Sequence, residues 1–208
     1  MRCTAQAGDS KEDFFMKASN QKATTKELVT TAMLVALIVA LQAFSSVAAR
    51  IGLFSFALGL FPATIGSVLY GKKKSLLFGA ALGITILATD ATAFALYGVN
   101  VFATVFLVML KSVASTFVTA AMFDLLGKWN RYVAAVVAAI LGPIFNTAIF
   151  TVGVCIFFKD FFSAFVGSGV PFIIGFIILI LGNFIIEMVI NIVLSPAVLR
   201  VVDIRKKN

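Results

Sequence analysis

The chain has 208 residues, 61% of them hydrophobic and 12% charged, with no histidine and a formal net charge of +8. Water-soluble domains are roughly 45–50% apolar, so a soluble fold is excluded, and without histidine no Ser/His or Cys/His catalytic pair can be built. An excess of positive charge would point to nucleic acid in a soluble protein, but here the Lys and Arg residues sit between apolar runs, where they report membrane topology instead.

Residues 1–26 are polar and of mixed charge, with no apolar h-region and no small-residue cleavage pattern. They are expected to form a mobile cytoplasmic tail and not a secretory signal. A helical span needs about 20 apolar residues, and the interruptions that follow divide the chain into six spans: 27–47, 52–70, 75–89, 99–125, 132–158 and 171–201. The expected fold is therefore an all-α integral membrane protein with six transmembrane helices in a domain over 27–201, closed by a basic end at 202–208. Cys3 lies in the tail and Cys155 in a span, so neither a disulfide nor a metal site is expected.

Orientation follows from the rule that positive loops resist translocation. With the N-terminus inside, the cytoplasmic segments hold 14 of the 17 Lys and Arg residues, including Lys72, Lys73, Lys74, Lys128 and Arg131; Arg50 and Lys159 fall outside and Lys111 lies within a span. Both termini are thus expected in the cytoplasm, and the chain is expected to be a multi-pass protein of a prokaryotic plasma membrane.

In the first span Ala32, Ala36 and Ala40 recur every four residues on one helical face, beside Thr31 and Ala43. Small residues at that spacing let another helix approach closely, either within the bundle or from a partner. The second span carries Pro62 near its middle, which predicts a kink and an irregular stretch over 51–60. The third is short and closed by Asp90, followed by an interruption at 90–98. Short or broken elements within a membrane require cover from protein or water, which predicts a cavity at the outer face. Asp90 and Asn100 flank that face, either as ligand contacts or as helix caps.

Ionisable groups inside a span are costly and mark candidate functional sites. Lys111 lies 13 residues before Asp124 and Glu187 lies 13 before Arg200, so the two should share one depth. Asn146, 15 residues after Arg131, should lie within about 3 Å of it. Asn183, Glu187 and Asn191 follow i, i+4, i+8 spacing and line one face of the sixth span. The cluster is open to two readings, a polar cavity for a small solute or a buried Lys111–Glu187 pair that locks helices together. Residues Gly66 to Lys73 imitate the GxxxxGK part of a phosphate-binding loop, but they lack the final Ser/Thr and end a membrane span instead of joining strand to helix. No nucleotide site, catalytic residue or cofactor is expected.

The order of these features, with the stripe Ala32-x-x-x-Ala36, the stretch from Phe54 to Pro62, the turn Tyr70-Gly71-Lys72-Lys73-Lys74 and the run from Asn183 through Glu187 and Asn191 to Ser195-Pro196-Ala197, resembles the S components of energy-coupling factor (ECF) transporters. The resemblance covers the chain after its tail. It implies a substrate-binding subunit for a water-soluble vitamin or related micronutrient, partnered by a T component and two ATPase subunits. It also implies docking of Ala32 and Ala36 on the T component, a gate over 45–60, and pocket residues in the outer parts of spans four to six, Asn100 and Asn183 among them. Two rivals remain open: a self-sufficient ion-coupled secondary transporter using Lys111 and Glu187, and a structural scaffold whose alanine stripe is its only functional surface.

Overall fold

The computed structural model describes residues 5–50 and 57–158, together with 184, 185, 187–189, 191–193 and 196; in the first helix the side chains are described over 25–48. Asn183, residues 51–56, residues 159–170 and the basic end at 202–208 lie outside the described residues. All regular structure among the described residues is helical: α1 (Ala5–Arg50), α2 (Leu60–Thr89), α3 (Ala91–Tyr97), α4 (Val101–Leu126) and α5 (Arg131–Phe157), followed by the helical residues from 184 onward, called α6 below. By internal contacts the chain divides into two units, 1–34 and 35–208.

The helix that carries the first span does not start at Glu27. It starts at Ala5 and takes in most of the polar tail. Residues 9–26 contain neither Gly nor Pro and nothing in them stops a helix, so the change from polar to apolar is a change of surroundings and not of backbone. Within unit 1, Thr30 and Thr31 return their hydroxyls to the carbonyls of Lys26 and Glu27, each at 2.8 Å. The helix runs on through Arg50, so the predicted gate over 45–60 is helical in its first part, with Ser45 and Ser46 buried.

The stretch α2 is two helices joined at a sharp break. Gly71 has φ 75° and ψ −174°, a left-handed region that glycine alone enters without penalty. The limbs on either side fold back on one another: a Cβ on Gly59 would lie 2.8 Å from Leu82 Cδ1, and one on Gly66 would lie 2.6 Å from the Phe78 ring. The two far ends of α2 also meet the same turn of α1. Gly59 N donates to Gln42 Oε1 at 3.3 Å, and the Ser46 and Thr89 hydroxyls are 3.1 Å apart. Gln42 and Ser46 are about 6 Å apart along a helix, whereas the ends of a straight 30-residue rod are separated by about 45 Å. The chain reverses at Gly71, with Lys72, Lys73 and Lys74 at the tip.

Pro62 does not kink a span. It falls in the first turn of α2, where the missing N–H costs nothing, and the segment before it, 57–59, is a turn closed by a 2.8 Å bond from Leu60 N to Ala57 O. The predicted interruption at 90–98 is also helical: α3 bends 72° away from α2, and the Tyr97 hydroxyl donates back to Leu87 O at 3.0 Å.

Close packing fixes the remaining helices. Against the second limb of α2, a Cβ on Gly79 would lie 2.7 Å from Val113 Cα and 2.9 Å from Ser112 O, and one on Gly83 would lie 2.8 Å from Met109 Sδ; Thr116 Oγ1 donates to Ser75 O at 3.0 Å. These pairs are antiparallel with a constant register. Leu107 against Gly153 and Thr119 against Gly142 set a second antiparallel register, between α4 and α5. The buried positions of α4 are largely Ala, Ser and Thr, while Phe106, Leu110, Phe117 and Leu125 are exposed. Small residues inside and bulky apolar ones outside reverse the soluble pattern and match helices packed in lipid. Among the described residues three helices, Thr25–Ala48 of α1, α4 and α5, are long and apolar enough to cross a bilayer, while the apolar α2 is divided at Gly71 into two shorter limbs.

Several of the described basic residues of the second unit stand near one end of the hairpin and of α4. Lys72 at the hairpin tip meets Asp124 near the end of α4 at 3.8 Å, and Lys74 lies 4.8 Å from the centre of the Tyr70 ring. The turn from α4 to α5, with Lys128 and Arg131, follows within a few residues of Asp124.

Candidate functional site

Three helices, α4, α5 and α6, bring polar side chains toward the centre of the bundle. Lys111 lies midway along α4, and the α4–α5 register places it against Phe150, its ammonium 4.3 Å from the ring centre. A cation over an aromatic face is attracted by the ring quadrupole, but a ring offers no lone pair to the three ammonium donors. Phe150 packs on an apolar cluster of Leu96, Leu107, Val154 and Phe158, which anchors the ring.

One turn along α5 from Phe150 is Asn146, 5% exposed, whose Nδ2 donates to Glu187 Oε1 at 3.4 Å. Glu187 and Asn191 are 7% and 2% exposed on α6, while Ile185, Val189, Ile192 and Val193 are exposed. The polar face of α6 therefore looks inward, as the i, i+4 spacing predicted. Asn191 Nδ2 donates to Glu187 O at 2.9 Å. The amide oxygens of both asparagines, Asn146 Oδ1 and Asn191 Oδ1, are buried with no hydrogen-bond partner, as is Ser112 Oγ. A buried acceptor without a donor costs about 1–3 kcal/mol, so each of these atoms is a place where a bound molecule could contribute.

Lys111 and Glu187 attract one another through space, as do Lys111 and Asp90, yet among the described residues neither carboxylate makes a direct ion pair with Lys111. The expected depth match is also shifted. The register that pairs Lys111 with Phe150 puts Asn146 opposite Ser115, about 6 Å along the axis from Lys111, and not within about 3 Å.

The two residues flanking the predicted outer face are caps. Asp90 closes α2 and opens α3, with Oδ1 accepting from Thr92 N at 2.7 Å; Asn100 opens α4, its side chain accepting from Ala103 N at 3.1 Å. Asp90 is buried and joins the central cluster electrostatically, while Asn100 is exposed. On α1, Ala32, Ala36 and Ala40 are all exposed.

Phe150 was not singled out from the sequence, although it stands four residues after Asn146 on the same helical face. Gln42 was missed as well; a lone buried amide on an apolar stripe was its only signal. Among the described residues no three His, Cys, Asp or Glu side chains are grouped as metal ligands. Compared with known protein families, curated proteins and solved structures, the chain matches none.

Proposed function

We propose that this chain is an S component of an ECF importer: a six-span protein with both termini in the cytoplasm that captures a water-soluble vitamin or related micronutrient and releases it inward when coupled to a T component and two ATPase subunits. The observation that carries the reading is the exposure of Ala32, Ala36 and Ala40 on α1. A small-residue stripe used for packing inside the bundle would be buried, as the Ser, Thr and Gly positions of α2 and α4 are. An exposed one is available to a helix from outside, which is the docking role that the resemblance gives it. The reversal of the chain at Gly71 supports counting 52–70 and 75–89 as separate spans. The shared end of Lys72, Asp124 and the α4–α5 turn supports a common cytoplasmic face.

The test is replacement of Ala32 and Ala36 together by Leu. Uptake should be lost while ligand binding by the purified subunit is kept, because the bulky side chains obstruct docking and not the interior. Unchanged uptake would overturn the assignment. It would favour the ion-coupled transporter, which draws on the through-space coupling of Lys111 with Asp90 and Glu187 and needs no docking face.

A further inference from the structure

The turn that joins α4 to α5 carries a side chain that internal packing does not account for. Trp129, the one tryptophan of the chain, is 92% exposed, and Leu125, Tyr132 and Val133 around it are each more than half exposed. The ring is not on a loose end. Trp129 N and Asn130 N donate to Leu126 O at 3.0 and 3.1 Å, Gly127 N donates to Phe123 O at 2.8 Å, and Asn130 Oδ1 accepts from Tyr132 N at 2.9 Å. The level of the turn follows from the helix before it. The 26 residues of α4 make about 39 Å of helix against a hydrocarbon core of about 30 Å, so the turn reaches the headgroup layer, where the amphipathic rings of Trp and Tyr concentrate.

Basic side chains from two separate segments meet at this level. The 3.8 Å contact between Lys72 and Asp124 holds the hairpin tip beside the last turn of α4, and Lys128 follows Asp124 by four residues, about 6 Å further on. Asp124 is the only carboxylate in α2, α4 and α5, and it is engaged by Lys72. Lys73, Lys128 and Arg131 make no ion pair among the described residues. The bias of positive charge toward one side of a membrane accounts for the lysines, but not for an exposed tryptophan set among them. A lipid with a net negative headgroup accounts for both.

We propose that the hairpin tip and the α4–α5 turn form a binding surface for anionic phospholipid, the headgroup phosphate meeting Lys73, Lys128 and Arg131 while the Trp129 and Tyr132 rings lie against the glycerol and upper acyl chains. Leu125 and Val133 continue the apolar surface from the rings onto the exposed sides of α4 and α5, as acyl chains require. The surface depends on the chain lying in a bilayer and not on the S-component reading.

Trp129 is its own reporter, since no second tryptophan contributes to the emission. The full-length protein is placed in phosphatidylcholine vesicles in which an equal, minor fraction of lipid carries bromine high in its acyl chains. That fraction is either phosphatidylglycerol or phosphatidylcholine, and quenching of Trp129 is compared. The brominated phosphatidylglycerol should quench at a mole fraction lower by roughly fivefold for each basic side chain that meets its phosphate. Lys128→Gln with Arg131→Gln should bring the two lipids to equal quenching without loss of folding, because positive charge at the start of a helix is itself unfavourable. Lys73→Gln, at the exposed hairpin tip, should narrow the difference in the same direction, as should added salt. Equal quenching of the wild-type protein by the two lipids would overturn the proposal. So would a difference that survives the paired substitution in a folded protein. Emission that neither brominated lipid quenches would place Trp129 in water, as on a surface that docks a protein, and would overturn it too. The wild-type comparison decides even where the double variant fails to fold.

Discussion

The reversal of α2 at Gly71 can be tested with a pair of cysteines, because the two possible courses of the chain differ by an order of magnitude in distance. Gly59 and Leu82 are 23 residues apart in sequence. On a continuous helix they would be about 34 Å apart, whereas in the hairpin a Cβ at 59 lies 2.8 Å from Leu82 Cδ1. In a background with Cys3→Ser and Cys155→Ser, the double substitution Gly59→Cys with Leu82→Cys should be joined by a short thiol-to-thiol reagent in membranes. Trypsin applied after denaturation cuts at Lys72, Lys73 and Lys74, between the two sites, so the crosslinked chain keeps its halves together on a gel and the free chain does not. Leu107→Cys with Gly153→Cys, across the α4–α5 contact, provides a positive control on helices that are antiparallel in either case. Separation of the halves at 59/82, under conditions where 107/153 is joined, would refute the hairpin and the division of 52–89 into two spans.

Gly79→Ala should lower stability by about 1–3 kcal/mol, the usual cost of overpacking, because the added Cβ would meet Val113 Cα at 2.7 Å and Ser112 O at 2.9 Å, and backbone cannot step aside. Gly98→Ala, where the nearest atom is 3.4 Å away, is the control, and unfolding in graded denaturing detergent should separate the two; equal midpoints would mean that α2 and α4 are not in backbone contact there. Asn146→Leu removes the Nδ2 donor to Glu187 and should destabilise by about 1–3 kcal/mol, with Glu187→Leu added on top costing less than it does alone; additive losses in that cycle would show that the two side chains are not coupled.

The all-helical class and two of the expected spans were legible from the sequence because hydropathy is a strong signal in so apolar a chain. Spans four and five agree with α4 and α5 to within two residues at each end. The places that were not legible share a physical cause: a residue type with two allowed roles. Pro62 can kink a helix or start one, and its position relative to Gly59 decided for a start. Asp90 and Asn100 can bind a ligand or cap a helix, and each is seen capping. The polar run 9–26 has no apolar period to mark a helix, yet nothing in it prevents one. The site was legible as a set of residues but not as a set of contacts. Depth counted from the ends of spans placed Lys111, Asn146 and Glu187 near one another, while the α4–α5 register gave Lys111 to Phe150 and left Glu187 to Asn146.

That division of partners bears on why the centre is polar at all. A Lys–Glu pair serving only to lock helices would gain most from direct contact, since two charges in a low-dielectric interior attract more strongly the closer they lie. Among the described residues the two make no direct pair: the ammonium lies over a ring, and the carboxylate accepts a 3.4 Å bond from an amide whose own oxygen is unpartnered. Among the described residues Lys111 makes no direct ion pair and two buried amide oxygens have no partner, an arrangement poorer as a lock than a direct pair would be. The helices around it are held by other means, by glycines against backbone and by the Thr116 hydroxyl of α4 donating across to Ser75 O of α2. The main packing contacts are thus made by residues other than Lys111, so removing its charge should cost less stability than filling the close contact at Gly79.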